Sequence, residues 1–214
     1  MNPCRIRFIE NALLDNVTST PTPFKGLRFA DIGCGGGILS ESLARLGAHV
    51  VGIDPCENNV AIAREHAEND SRLRGRLEYR VGTAEDLVAS GEEKKFDVVC
   101  ALEVVEHVSD LELFVESCSA LSKSGGDLFF STVNRTPLSY ALGIVAAEYV
   151  LRMVPPGTHD WNRFVTPNEL EAALLRGNAS VGSVCGMILN PISGRWFLNP
   201  TQHDVNYILH ATRY

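Results

Sequence analysis

Paired cysteines are what this chain lacks first. Its six cysteines, Cys4, Cys34, Cys56, Cys100, Cys118 and Cys185, are scattered and form no Cys-x-x-Cys unit. That excludes a zinc ribbon or a thiol–disulfide motif, and reads as reduced, mostly buried thiols in a reducing compartment. Positive charge is also scarce. Nineteen Lys and Arg against 26 Asp and Glu leave a formal net charge of −7 and a pI near 5.4. A chain so acidic is not expected to take nucleic acid as a bulk electrostatic partner. No apolar run is long enough to span a membrane, and no signal or basic transit segment is recognisable. If the protein is organellar, its presequence lies outside these residues. Repeats and low-complexity stretches are absent. The 214 residues suit a single α/β domain, expected over 1–214, whose core needs neither disulfide nor metal.

What is present is one dense signal. Phe29-Ala30-Asp31-Ile32 runs into Gly33-Cys34-Gly35-Gly36-Gly37, and Val50-Val51-Gly52-Ile53 ends in Asp54, 21 positions after Gly33. An apolar strand, a glycine turn and a second strand ending in an acid make a nucleotide-type cofactor site. The glycines allow close backbone approach, and Asp54 can accept from both ribose hydroxyls. A dinucleotide turn needs glycines at positions one, three and six to seat a pyrophosphate. Here those positions are Gly33, Gly35 and Ile38. Asp31, just before the turn, would repel a pyrophosphate but suits an ammonium or a sulfonium. The spacing fits both cofactors, and these details favour S-adenosylmethionine over a dinucleotide.

From Leu27 onward, short apolar strands alternate with helical stretches, the pattern of a parallel sheet. Strands are expected near Arg28–Ile32, His49–Ile53, Leu77–Val81, Phe96–Leu102 and Leu128–Thr132. Helices are expected over Arg5–Asn16, Ile38–Leu46, Asn58–Asn69, Leu111–Leu121 and Pro167–Leu175, the last with Thr166 as its N-cap. Val181–Leu189 and Val205–Ala211 read as a final antiparallel hairpin. The expected fold class is therefore α/β: a Rossmann-like, doubly wound, seven-stranded sheet. Pro137–Val154 stands outside this alternation because it is apolar almost all round. It reads either as a lid or membrane-touching insertion, near 137–161, or as an ordinary core helix.

Over nearly its whole length the chain resembles class I S-adenosylmethionine-dependent methyltransferases, and more narrowly the ubiquinone-biosynthesis O-methyltransferases. The segments that carry this are Asn2-Pro3-x-Arg5, Asp31 to Gly37, Glu103-Val104-Val105-Glu106-His107-Val108 and Gly125 to Thr132. Asn134-Arg135, Pro155-x-Gly157-Thr158-His159, Asn190-Pro191 and Asp204-Val205-Asn206-Tyr207 complete the set. The resemblance implies that Arg5, Gly33, Asp54 and Leu102 contact the cofactor, beside Asp31 and Gly35 read from the turn itself. It implies methylation of catechol-type hydroxyls on polyprenylated rings, and a divalent metal. Thr83 departs from the acid that many relatives carry after the third strand, so the adenine contacts are left open. Lys123-Ser124-Gly125-Gly126 replaces a Lys-Pro-Gly-Gly turn, and the Thr18–Phe24 loop is longer than usual.

The acceptor chemistry asks for help with a proton. A phenol has a pKa near 10, so a base or a metal must act. Glu103, Glu106 and His107 are the candidates. In a helical turn their i, i+3 and i, i+4 spacing would project all three to one side. With the metal that the resemblance implies, they form its expected seat: Mg²⁺ for two carboxylates, Zn²⁺ or Mn²⁺ with the histidine. The alternative for this group is packing and helix capping, with His107 as a direct base. His159 is a second candidate base, on a loop able to cover the substrate, or else a surface histidine. Three rival functions are another phenol or carbon methyltransferase, an NAD(P)-dependent oxidoreductase, and a non-catalytic member of a biosynthetic complex. The expected partners are a polyprenylated phenol, a membrane surface and that complex. The expected location is the matrix side of the mitochondrial inner membrane, or the membrane-associated bacterial cytoplasm.

Overall fold

A computed structural model describes residues 1–14, 20–141 and 160–214. In chain order its elements begin α1 (Asn2–Leu13), β1 (Arg28–Ile32), α2 (Ile38–Arg45), β2 (His49–Asp54), α3 (Glu57–Glu68) and β3 (Leu77–Val81). They continue with α4 (Ala84–Ala89), β4 (Phe96–Leu102), α5 (Leu111–Leu121), β5 (Ser122–Val133) and the single turn α6 (Pro137–Ser139). The last are α7 (Pro167–Arg176), β6 (Ala179–Leu189), β7 (Trp196–Asn199) and β8 (Asn206–Arg213).

The strands form one sheet in the order β3-β2-β1-β4-β5-β8-β6-β7. β1 to β5 are parallel, β8 runs antiparallel to β5, and β6 antiparallel to β8. β6 therefore points the same way as β1–β5. This is the doubly wound α/β fold expected, with eight strands rather than seven. The additional strand, β7, pairs antiparallel with β6 from Leu189↔Trp196 to Gly186↔Asn199. It also corrects the expected terminal hairpin. β6 and β8 do pair, but β7 intervenes in sequence, and β8 inserts between β5 and β6.

Strand alternation sorts the apolar residues onto two faces. Phe29, Val50, Val98, Cys100, Phe129 and Ile208 pack under α1 and α2. Their neighbours Ala30, Val51, Val99, Ala101, Phe130 and Leu209 pack under α4, α5 and α7. The register between β4 and β5 jumps from Phe96↔Ser122 to Val98↔Asp127. The intervening Lys123–Gly126 form an irregularity inside β5, with Gly125 at φ +74, where a tight turn preceding the strand was expected. Thr83, the departure noted above, is the N-cap of α4 and closes a capping box with Asp86. Of the apolar stretch Pro137–Val154, residues 142–154 lie outside the described residues, as does most of the insertion expected near 137–161. Leu138 and Tyr140, at its start, are about half exposed.

Thr166 caps α7, its Oγ1 accepting from the Glu169 N–H while the Glu169 carboxylate accepts from the Thr166 N–H. Thr166→Ala removes one half of that exchange. It should lower unfolding stability by about 1 kcal/mol in urea titration, leaving cofactor affinity unchanged.

Candidate active site

The carboxyl ends of β1 and β4, the glycine turn into α2 and the start of α1 line a cleft of about 570 Å³; Asp54, at the end of β2, is not among its lining residues and reaches the site through Gly35. Arg5, Asp31, Gly33, Gly35 and Leu102 all line it, together with Asn2, Cys34 and Ile38. A larger cavity of about 880 Å³ lies between α5 and α7 and is bordered by Val105 and Val108. It contains none of the glycine turn or the strand-end acids, so the chemistry is assigned to the smaller cleft.

The glycine turn is shaped by backbone geometry. Gly33, Gly35 and Gly37 have φ of +70, +52 and +85, the left-handed region that favours glycine. A methyl group at Gly33 would come within 2.5 Å of Val104 Cγ2, whereas one at Gly35 would meet nothing within 4 Å. The turn is thus closed against the loop after β4 and open toward the cleft.

Asp54 secures the turn from the neighbouring strand. Its Oδ2 accepts from the Gly35 N–H at 2.9 Å. Its Oδ1 accepts from the Cys56 N–H at 2.9 Å and from Asn59 Nδ2 at 3.1 Å. A carboxylate offers about four acceptor positions, and three are used. In this arrangement one ribose hydroxyl would find a vacant position on Oδ2, and a second would require one internal donor to let go.

Asp31 is buried at the floor of the cleft, where Ser40 Oγ donates to its Oδ2 at 2.5 Å. Burial pushes its carboxyl up to about 6, although the Ser40 hydrogen bond and the Arg5 charge pull it down. An unpaired buried carboxylate is costly, and a cation placed beside it would lower that cost. Two further polar atoms lack partners. Arg5 Nε and Asn2 Oδ1 are buried and unbonded among the described residues. Native buried polar groups are nearly always satisfied. An amino-acid carboxylate on Arg5 and an ammonium near Asn2 and Asp31 would satisfy both, so the cleft fits the methionine end of S-adenosylmethionine.

The loop after β4 departs from the expected helical turn. Glu103 has φ +62, Val104–His107 form a tight turn closed by His107 N–H to the Val104 carbonyl at 2.8 Å, and α5 starts only at Leu111. Glu103 is drawn to the end of β5 and to α1. Its Oε1 accepts from Ser131 Oγ at 2.7 Å and lies 3.0 Å from an Arg5 guanidinium nitrogen. Glu106 is buried, and its Oε2 accepts from Thr132 Oγ1 at 2.8 Å. Burial, and then the Glu103 charge, hold its carboxyl well above the usual carboxylate range. His107 is exposed, with its backbone carbonyl near Arg163. The i, i+3, i+4 face is therefore not formed, because a left-handed residue starts the loop and two β5 hydroxyls pull its glutamates inward. No group of three His, Cys, Asp or Glu able to hold a metal occurs among the described residues. His159 lies outside them. Asn2, Ser131 and Thr132 are the contributors that residue-by-residue reading did not single out, although all three fall inside the segments that carried the resemblance.

The fold and this cleft define an S-adenosylmethionine-dependent methyltransferase, and residues 30–130 match the methyltransferase domain family. The ubiquinone biosynthesis O-methyltransferase of Cereibacter sphaeroides is 46% identical over 216 residues, covering all of this chain and 85% of that protein. The mitochondrial ubiquinone biosynthesis O-methyltransferases of Arabidopsis thaliana and Mus musculus are each 47% identical, with 66% and 58% of their lengths covered. This chain belongs to the ubiquinone biosynthesis O-methyltransferase family. Solved structures share the fold. Magnesium protoporphyrin IX methyltransferase from Synechocystis PCC 6803, with bound SAH, is 22% identical with TM-score 0.64, covering 89% of this chain and 76% of that one. A SAM-dependent methyltransferase from Methanosarcina mazei is 18% identical with TM-score 0.66, covering 87% and 92%.

The raised Asp31 carboxyl has a signed consequence. Protonation is favoured in the folded protein without cofactor, so Asp31 costs stability as pH rises from 3.8 to about 6 and throughout the range above. A cationic cofactor favours the ionised form. S-adenosylmethionine affinity should therefore fall as pH drops below about 6. Asp31→Asn should flatten that dependence and weaken affinity by about tenfold or more, while raising the cofactor-free melting temperature at pH 8 by a few degrees, roughly. Calorimetric titration and thermal melting check both. An unchanged pH profile in the variant removes Asp31 from cofactor binding.

Proposed function

We propose that this enzyme transfers the methyl group of S-adenosylmethionine to a ring hydroxyl of a polyprenylated catechol or demethylated ubiquinol. The observation that carries this reading is the juxtaposition of Glu103 and Glu106 with the cofactor cleft through Arg5, which lines the cleft and pairs with Glu103. The names of the curated relatives supply the substrate class.

Methyl transfer from a sulfonium is an in-line displacement, so positioning and exclusion of water provide most of the rate. In this reading Asp31 and Arg5 hold the amino-acid end and Asp54 the ribose, which fixes the methyl group over the ends of β4 and β5. Ser131 and Thr132 hold the two glutamates facing the acceptor. The donor set is two carboxylates: Glu103 Oε1 is shared by the Ser131 hydroxyl and Arg5, and Glu106 Oε2 accepts from the Thr132 hydroxyl. Mg²⁺ is commonly held by one or two carboxylates, with water and substrate oxygens completing the shell, so this pair fits such an ion. A divalent ion bound here would lower the hydroxyl pKa and aim its oxygen. His107 joins as a ligand, favouring Zn²⁺ or Mn²⁺, only if the Val104–His107 turn rearranges. If turnover is independent of metal, His107 and His159 are the candidates for accepting the phenolic proton. The insertion 137–161 is read as the cover for the greasy substrate.

Among the described residues no helix is long and apolar enough to cross a membrane, and the proposal is peripheral contact. In a eukaryote that places the enzyme on the matrix side of the inner membrane, and in a bacterium on the cytoplasmic side. Association with other enzymes of ubiquinone biosynthesis belongs to the same proposal.

Labelled S-adenosylmethionine with a short-tailed polyprenyl catechol tests this directly. Turnover should cease with EDTA and return with Mg²⁺, and Glu106→Gln should lower kcat about a hundredfold with little change in cofactor affinity. Turnover indifferent to EDTA removes the metal. Cofactor binding without methylation of any catechol overturns the substrate assignment.

A further inference from the structure

The strand polarity places a second feature at the same edge of the sheet as the cofactor cleft. β6 runs parallel to β1–β5, so its carboxyl end, and the β6–β7 turn that follows, emerge at the same sheet edge as the cofactor cleft. At that turn Ile192 is 97% exposed. A single exposed apolar residue is ordinary, but this one is held out by a built turn. Asn190 Oδ1 accepts from the Ile192 and Ser193 N–H groups at 2.9 and 3.1 Å, and the Asn190 carbonyl accepts from the Gly194 N–H at 2.9 Å. The Asn190 N–H in turn donates to the Arg195 carbonyl at 2.8 Å. Behind the tip, exposed Phe197 lies opposite Ile188 in the β6–β7 ladder. On the inner side Trp196 and Leu198 pack into the core cluster that includes Phe8 and Ile9 of α1.

Charge sets this hairpin apart from the rest of an acidic chain. Between Glu171 and Asp204 there is no Asp or Glu, the longest acid-free stretch of the sequence, and exposed Arg195 stands beside the tip. A rigid apolar point with an adjacent cation and no acids is complementary to an anionic lipid surface.

We propose that the Asn190–Arg195 tip is a lipid-surface anchor: Ile192 enters the interface, Phe197 lies at its boundary and Arg195 meets anionic headgroups. The inference rests on the polyprenylated-substrate reading above and gives it a geometry. Docked by this edge, the enzyme would take up a ring hydroxyl while the isoprenoid tail stays in the bilayer.

Flotation of the full chain with phosphatidylcholine vesicles, with and without phosphatidylglycerol, tests it. Ile192→Asp should weaken vesicle binding by about tenfold, the factor expected from withdrawing one isoleucine from an apolar phase. Ile192→Trp should retain binding, and Arg195→Glu should lose it only on vesicles containing phosphatidylglycerol. All three should methylate a water-soluble catechol as the wild type does. Wild-type-like partitioning of both Ile192→Asp and Arg195→Glu overturns the proposal, as does failure of the wild type to bind either vesicle. A change of oligomeric state in Ile192→Asp without a change in vesicle binding also overturns it, and assigns the tip to a second copy of the chain. Failure to methylate polyprenyl catechols, with binding still dependent on Ile192, would refute the substrate reading and leave the anchor standing.

Discussion

The cofactor cleft depends on one carboxylate acting across two strands. Asp54 ends β2, yet it holds the turn that follows β1 through the Gly35 N–H and the entry to α3 through Cys56 and Asn59. Parallel strands present only slanted, evenly spaced hydrogen bonds to one another, and these end where the strands end. Past the end of β1 the Gly33 and Cys34 N–H groups still donate to the Ile53 carbonyl, at 2.8 and 3.0 Å, and the Asp54 side chain carries the connection one step further, to Gly35. With Asp54 in place the glycines keep their left-handed conformations, Gly33 meets Val104, and the loop bearing Glu103 and Glu106 is packed against the cofactor turn. The cofactor turn and the glutamate loop are thereby joined through Gly33 and the Val104 side chain.

A second theme is the tension stored in the cleft before the cofactor arrives. A buried acid with a raised pKa and two unpartnered polar atoms, Arg5 Nε and Asn2 Oδ1, are all unfavourable in isolation. They converge on one small volume. A ligand that carries both an ammonium and a carboxylate would stabilise such a site, whose groups weaken the empty protein. The glutamates after β4 repeat the pattern: Glu106 is buried near Glu103, which shares its own charge with Arg5.

How much of this was legible in the sequence follows the physics of each signal. Arg28–Ile32, Leu77–Val81 and Phe96–Leu102 match the structure to the residue, because the apolar run of Phe96–Leu102 and the alternation of Leu77, Tyr79 and Val81 with charged residues are local strand signals. α7 was found through Thr166 and Pro167, whose capping preferences are local. β7 was not, since four residues are too few to show a period. The loop after β4 misled for a different reason. Glu, Val and His favour no left-handed start, so the spacing of Glu103, Glu106 and His107 suggested a helix. Tertiary hydrogen bonds to Ser131 and Thr132 decided otherwise. The cleft's acids and glycines were visible from composition and spacing. Arg5 was visible only by resemblance, because nothing local says that a helix near the amino end folds back over the cleft.

The most direct test of the account is a crystal structure with S-adenosylhomocysteine. The amino-acid group should lie against Arg5, Asn2 and Asp31, with a ribose hydroxyl on Asp54 Oδ2. The sulfur would face the loop of Glu103 and Glu106. A ligand seated in the cavity between α5 and α7, or a ribose held away from Asp54, would contradict it.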